Sequence, residues 1–73
     1  MSFLPLISGA EAIGAFQQNG WRIDRHHGDH AIMVKSGVAP ILSIPQHREL
    51  KKGLLSKLIK QSGLSVLEFK ELL

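Results

Sequence analysis

The sequence predicts an α+β fold in the order α-β-β-β-α, with a short extra helix at the C-terminus. Three observations carry this. Apolar residues recur at helical spacing near both ends of the chain, and between them the spacing shortens to the alternation of strands. Glycine-containing turns, His27-Gly28-Asp29 and Ser36-Gly37, divide the middle into short runs that suit an antiparallel meander. Ser-x-x-Glu occurs twice, each time just before a helical pattern. Helices that flank a three-stranded sheet in sequence most simply pack on one of its faces.

Met1 to Ile7 reads as an extended lead-in, because Pro5 fixes its own φ and disfavours helix at Leu4. Ser8-Gly9-Ala10-Glu11 then forms a capping box. The helix it opens runs to about Asn19, with Ala12, Ile13 and Phe16 inward and Gly20 as its stop. Trp21, Ile23 and Arg25 alternate with Arg22, Asp24 and His26, the pattern of a half-buried strand. The turn at Gly28 leads into a second strand, His30 to Lys35, and Ser36-Gly37 turns the chain again. Ile41 to Ile44 is the third strand, bounded by Pro40 and Pro45. Gln46 to Gly53 is polar and basic. Leu54, Leu55, Leu58 and Ile59 follow at helical spacing, and Gly63 ends that helix. Ser65-Val66-Leu67-Glu68 opens the last helix, with Phe69, Leu72 and Leu73 on its apolar side. Trp21, Phe3, Phe16 and Phe69 read as core, which leaves no aromatic platform for stacking bases.

The middle strand is apolar on both sides, Ile32 and Val34 against Ala31 and Met33. A sheet with one wet face is normally polar there, so either a partner covers the open face or the faces are assigned wrongly.

With 73 residues the chain is read as one domain, 1–73, which buries only about 60% of its unfolded surface. It has no cysteine, which excludes a disulfide framework and any Cys-based metal site and fits a cytoplasmic location. No apolar run approaches the ~20 residues of a membrane span, and FLPLI, interrupted by Pro5, is too short for a signal sequence. No membrane contact is expected. The net charge of +3 favours an anionic partner, nucleic acid first.

Motifs along nearly the whole chain resemble the HicA (YcfA-like) toxins of type II toxin–antitoxin pairs. They are Leu4-Pro5, Ser8-Gly9-x-Glu11-x-Ile13, Gly20-Trp21, Arg25-x-x-Gly28-x-His30, Pro45-x-His47, Lys52-Gly53-x-Leu55, and Gln61-Ser62-Gly63-Leu64-Ser65 followed by Phe69. The resemblance implies a fold like that of double-stranded-RNA-binding domains. It also implies endoribonucleolytic cleavage of mRNA, and neutralisation by a HicB-like antitoxin protein. The family's catalytic histidine falls on His30. Three positions depart from the pattern: Asp29 where Ser is usual, Leu54 for Thr, and Ser56 for Arg. An anion at position 29 repels phosphate, although it favours the charged form of a neighbouring imidazole. Loss of Arg at position 56 weakens contact with RNA, so reduced or altered activity is the expectation.

Histidine suits this chemistry. RNA carries its own nucleophile, the 2′-OH, and its cleavage needs one proton removed and another delivered, which imidazole does near neutral pH. No metal or other cofactor is required for that scheme. The competing view of His30 is a polar residue at a strand edge. His26 and His27 read as solvated turn residues. A metal site from His26, His27, Asp29 and His30 is the alternative, though adjacent residues rarely aim at one ion. His47 is either a second proton-transfer or phosphate-binding group or a solvated loop residue. Arg48, Lys51, Lys52, Lys57 and Lys60 form a basic group before and along the second main helix. They are placed either to hold RNA phosphates, with Lys51 and Lys52 at the helix start, or simply to solvate the helix. Two other functions compete with the ribonuclease: an RNA- or protein-binding module of the same fold that does not cut, and a purely structural partner domain.

Overall fold

The computed structural model describes residues 3–73. Its elements are α1 (Gly9–Gln18), β1 (Arg22–His27), β2 (His30–Lys35), β3 (Val38–Pro45), α2 (Lys52–Ser62) and α3 (Val66–Glu71). The strands form one antiparallel sheet in the order β1-β2-β3. The α+β fold with its α-β-β-β-α order and short terminal helix is therefore as the sequence predicts.

Both capping boxes form. Ser8 Oγ accepts from the amide of Glu11 at 3.0 Å while Glu11 returns a carboxylate to the amide of Ser8 at 3.0 Å. Ser65 and Glu68 repeat this at 3.1 and 2.9 Å, giving the six-residue α3 a defined start.

All three helices share one core with one face of the sheet. Ala12, Ile13, Ala15 and Phe16 of α1, Leu55, Leu58 and Ile59 of α2, and Phe69 of α3 enclose Ala31, Met33, Leu42 and Ile44. Phe16 and Phe69 meet with ring centroids 5.0 Å apart and planes tilted by 46°, an arrangement favoured by aromatic quadrupoles. Ala31 pairs with Ile44 and Met33 with Leu42, so the inward rows of β2 and β3 are in register.

The helical layer leans toward β3. Ile23 pairs with Met33 and His26 with Ala31, which puts both on the helical side, yet both are exposed. The half-buried pattern expected of 21–26 is thus corrected. Trp21 is buried but lies before the strand, and every residue of β1 is exposed. The periodicity of a strand specifies two faces; it does not say whether a layer reaches them.

Three further expectations change. The third strand begins at Val38 rather than Ile41, with Pro40 inside it. Proline is accommodated because β3 is an edge strand and its register with β2 shifts between Lys35 and Met33. Phe3 is 72% exposed and outside the core, as is Leu73 at 52%, because the lead-in and the last residue extend past the layer they were expected to join. On the open face Ile32 is 5% exposed, although it is not part of the helical core. It sits in a cross-strand row between Arg25 and Ser43, so this apolar position is buried within the chain itself.

Candidate functional site

The turn between β1 and β2 is as tight as the chain allows. His27 pairs directly with His30, leaving Gly28 and Asp29 as a two-residue loop. Gly28 has φ +62° and Asp29 has no positive φ, the type II′ pattern that admits glycine first. The ladder then fixes His30 as the first residue of β2, paired on its other side with Pro45.

The loop after β3 is tied back to this turn by main-chain bonds. The amide of Gln46 donates to the carbonyl of Asp29 at 2.8 Å. The carbonyl of His47 accepts from the amide of Gly9 at 2.9 Å, and the amide of Leu50 donates to the carbonyl of Ile7 at 2.8 Å. Gly9 is buried where a Cβ would run into the carbonyl oxygen of Pro45, so only glycine lets the start of α1 approach the end of β3 this closely.

These ties bring three side chains together. His30 Nδ1 lies 3.0 Å from Asp29 Oδ1, and His47 Nε2 lies 3.2 Å from Asp29 Oδ2. A carboxylate only accepts, so His47 Nε2 donates to Asp29 Oδ2, while His30 Nδ1 meets Oδ1 as an ion-pair contact. One carboxylate thus contacts both imidazoles, and among the described residues neither His30 Nε2 nor His47 Nδ1 has a hydrogen-bond partner. The hydrogen bond from His47, reinforced by the charges of both imidazoles, holds the Asp29 carboxyl below the usual carboxylate value. The carboxylate expected to repel phosphate and to favour a charged neighbouring imidazole lies against two imidazoles, His30 and His47.

His30 also lines a groove of about 280 Å³ on the outer side of β3, where α2 runs alongside. Its walls are Ile41, Ser43 and Pro45 from β3 and Leu54, Lys57, Leu58 and Gln61 from α2.

The basic group divides. Lys57 reaches the groove, whereas Arg48, Lys51, Lys52 and Lys60 are exposed outside it. Lys51 is the N-cap of α2 without a side-chain cap bond, and no acidic residue occupies the first turn, so the amides there are open to an anion. His26 and His27 lie on opposite faces of an exposed strand and do not converge. Among the described residues no three His, Asp or Glu side chains are grouped to hold a metal ion, and no helix is long and apolar enough to cross a membrane.

Residues 9–64 match the family described as the HicA toxin of bacterial toxin–antitoxin systems. The chain belongs to the HicA toxin family. A search of curated proteins returns no match. The match covers all three strands, α1 and α2, and with them the whole Asp29-His30-His47 cluster and the groove. Of the three departures from the HicA pattern, the first two lie at this site. Asp29 is the bridge between the histidines, and Leu54 is an apolar wall of the groove. Ser56 is exposed on α2 and is not part of the groove lining. The groove residues Ile41, Ser43, Pro45, Leu58 and Gln61 are the part of the site that reading the sequence for chemistry misses. Its signals were Leu54, set apart as a departure, Pro45, in the Pro45-x-His47 motif, and Gln61, within the C-terminal motif.

Proposed function

We propose that this HicA toxin is an endoribonuclease that cleaves mRNA with His30 as its acid–base group, and that a HicB-like antitoxin neutralises it in the cytoplasm. The observation that carries the reading is the Asp29 bridge, 3.0 Å to His30 and 3.2 Å to His47. With Nδ1 beside the Asp29 carboxylate, His30 in its neutral form offers Nε2 to the substrate. That nitrogen takes the proton of the RNA 2′-OH as its oxygen attacks phosphorus, and the bond from phosphorus to the 5′-oxygen breaks. His47, when protonated, supplies the proton for the departing 5′-oxygen. The products are a 2′,3′-cyclic phosphate and a 5′-OH end. No metal-generated nucleophile enters this scheme, because the nucleophile belongs to the substrate.

The role of Asp29 is orientation and tautomer selection, and Gly28 sets the turn that places it. Lys57, beside the groove, and Lys51, Lys52, Arg48 and Lys60 around α2 neutralise the phosphates on either side, so binding weakens steeply as salt rises.

The test is induced expression of the wild type and of His30→Ala, following growth and total mRNA, with the fold of each purified protein checked by NMR. Positioned acid–base catalysis contributes roughly 10²–10⁴-fold, and His30→Ala should lose that much cleavage together with growth inhibition. Undiminished cleavage by a folded His30→Ala protein overturns the assignment. Tight RNA binding by a wild type that never cuts supports the non-catalytic module instead.

A further inference from the structure

We infer that the groove beside His30 is a nucleobase pocket, which seats one unpaired base of single-stranded RNA next to the scissile phosphate. The inference rests on the ribonuclease reading and adds to it what part of the RNA is recognised. Its volume, about 280 Å³, falls just below the ~300–1,000 Å³ of pockets that hold drug-sized ligands, the right scale for a single flat base.

The lining has the composition that a base requires. Ile41, Pro45, Leu54 and Leu58 offer apolar surface on two sides, one from β3 and one from α2. Unstacked bases are commonly held between apolar or aromatic surfaces and read along their edges. Ser43 and Gln61 supply that reading. A hydroxyl and a carboxamide between them both donate and accept, as a base edge does. Lys57 adds the one cation of the lining, placed to take the attached phosphate, while His30 stands at the same rim. A base still paired in a duplex has its edge occupied and cannot enter a cleft between a strand and a helix. The pocket therefore selects single strands even though the fold resembles that of duplex binders.

Leu54 supports this occupant over a bare phosphate. Its side chain makes the α2 wall apolar there, which disfavours a hydrated anion and favours a ring.

Two measurements test the inference. In the first, wild type, Gln61→Ala and Ser43→Trp proteins cut a pool of single-stranded RNAs of random sequence, and the ends are sequenced. The wild type should enrich one base, or one class of base, immediately 5′ or 3′ of the cut. Gln61→Ala should reduce that enrichment by about 3- to 10-fold, the value of one lost hydrogen bond. Ser43→Trp, at an exposed strand position, should fill the groove and abolish it. Cutting with no base preference, or a preference untouched by both substitutions, overturns the pocket and leaves the nuclease reading standing.

The second measurement needs no turnover. NMR titration with the four nucleoside 3′- and 5′-monophosphates should shift the signals of Ile41, Leu54 and Gln61, whereas inorganic phosphate should shift only those around His30 and Lys57. Shifts from nucleotides in a protein that never cuts uphold the pocket and overturn the nuclease. Identical responses to nucleotides and to phosphate overturn the pocket.

Discussion

The two edges of the sheet are chemically opposite. The β1 edge is bare: six residues, all exposed, with no helix above them even where Ile23 and His26 face the helical side. The β3 edge is crowded, its inner row buried under the helices and its outer rim walled by α2. Asp29, His30, His47 and the groove all lie at the β3 side or at the turn tied to it. A helical layer set off-centre thus leaves one edge solvated and builds a cleft at the other, from a sheet of only three strands. The cleft arises from the offset, since a layer centred on β2 would cover both edges equally.

The largest expected contrast between the edges is in stability. Leu42→Ala removes a fully buried side chain under the helices and should cost about 2–5 kcal/mol, while Ile23→Ala, already 36% exposed, should cost under about 1 kcal/mol. Urea unfolding of the two variants measures the difference directly. Equal losses would mean that β1 is buried in solution and that the asymmetry is wrong.

Next in size is Gly9→Ala. A methyl group there meets the carbonyl of Pro45, and relieving the clash should cost about 1–3 kcal/mol. Because the amide of the same glycine holds the carbonyl of His47, the variant should also shift the NMR signals of His47 and Asp29 while leaving β1 as it was. Perturbation spread evenly over both edges would show that the two are coupled after all.

The smallest effect is a pH dependence. Asp29 carries a carboxyl depressed below its ordinary value of 3.8 by the hydrogen bond from His47. A depressed acid contributes stability that is present above its unfolded value and lost as pH falls through the folded one. Wild type should therefore exceed Asp29→Asn slightly at neutral pH, with the gap closing below pH 3.8. A gap that persists in acid would assign the loss to packing. The contribution is small because the group is exposed and screened by solvent.

What the sequence made legible was local. The two Ser-x-x-Glu boxes and the stop at Gly20 each lie within a few residues and form as read, and the turn read over His27-Gly28-Asp29 forms one residue shorter, with His27 already in β1. The exposure of β1 was not legible, because Trp21, Ile23 and Arg25 alternate in the same way whether or not a helix arrives above them. The bridge was only half legible: Asp29 beside His30 is visible in sequence, but the His47 that meets its second oxygen lies 18 residues away. The groove was least legible of all. Its walls come from β3 and α2, and only the offset of the helical layer makes them neighbours.

Trp21 is the chain's single tryptophan, there is no tyrosine, and the indole is 2% exposed where α1 meets the sheet. Its emission is therefore a one-channel optical gauge of the core. Events at the site that leave its fluorescence flat while NMR signals of His30 or Gln61 move are local events; those that redden it have reached the core.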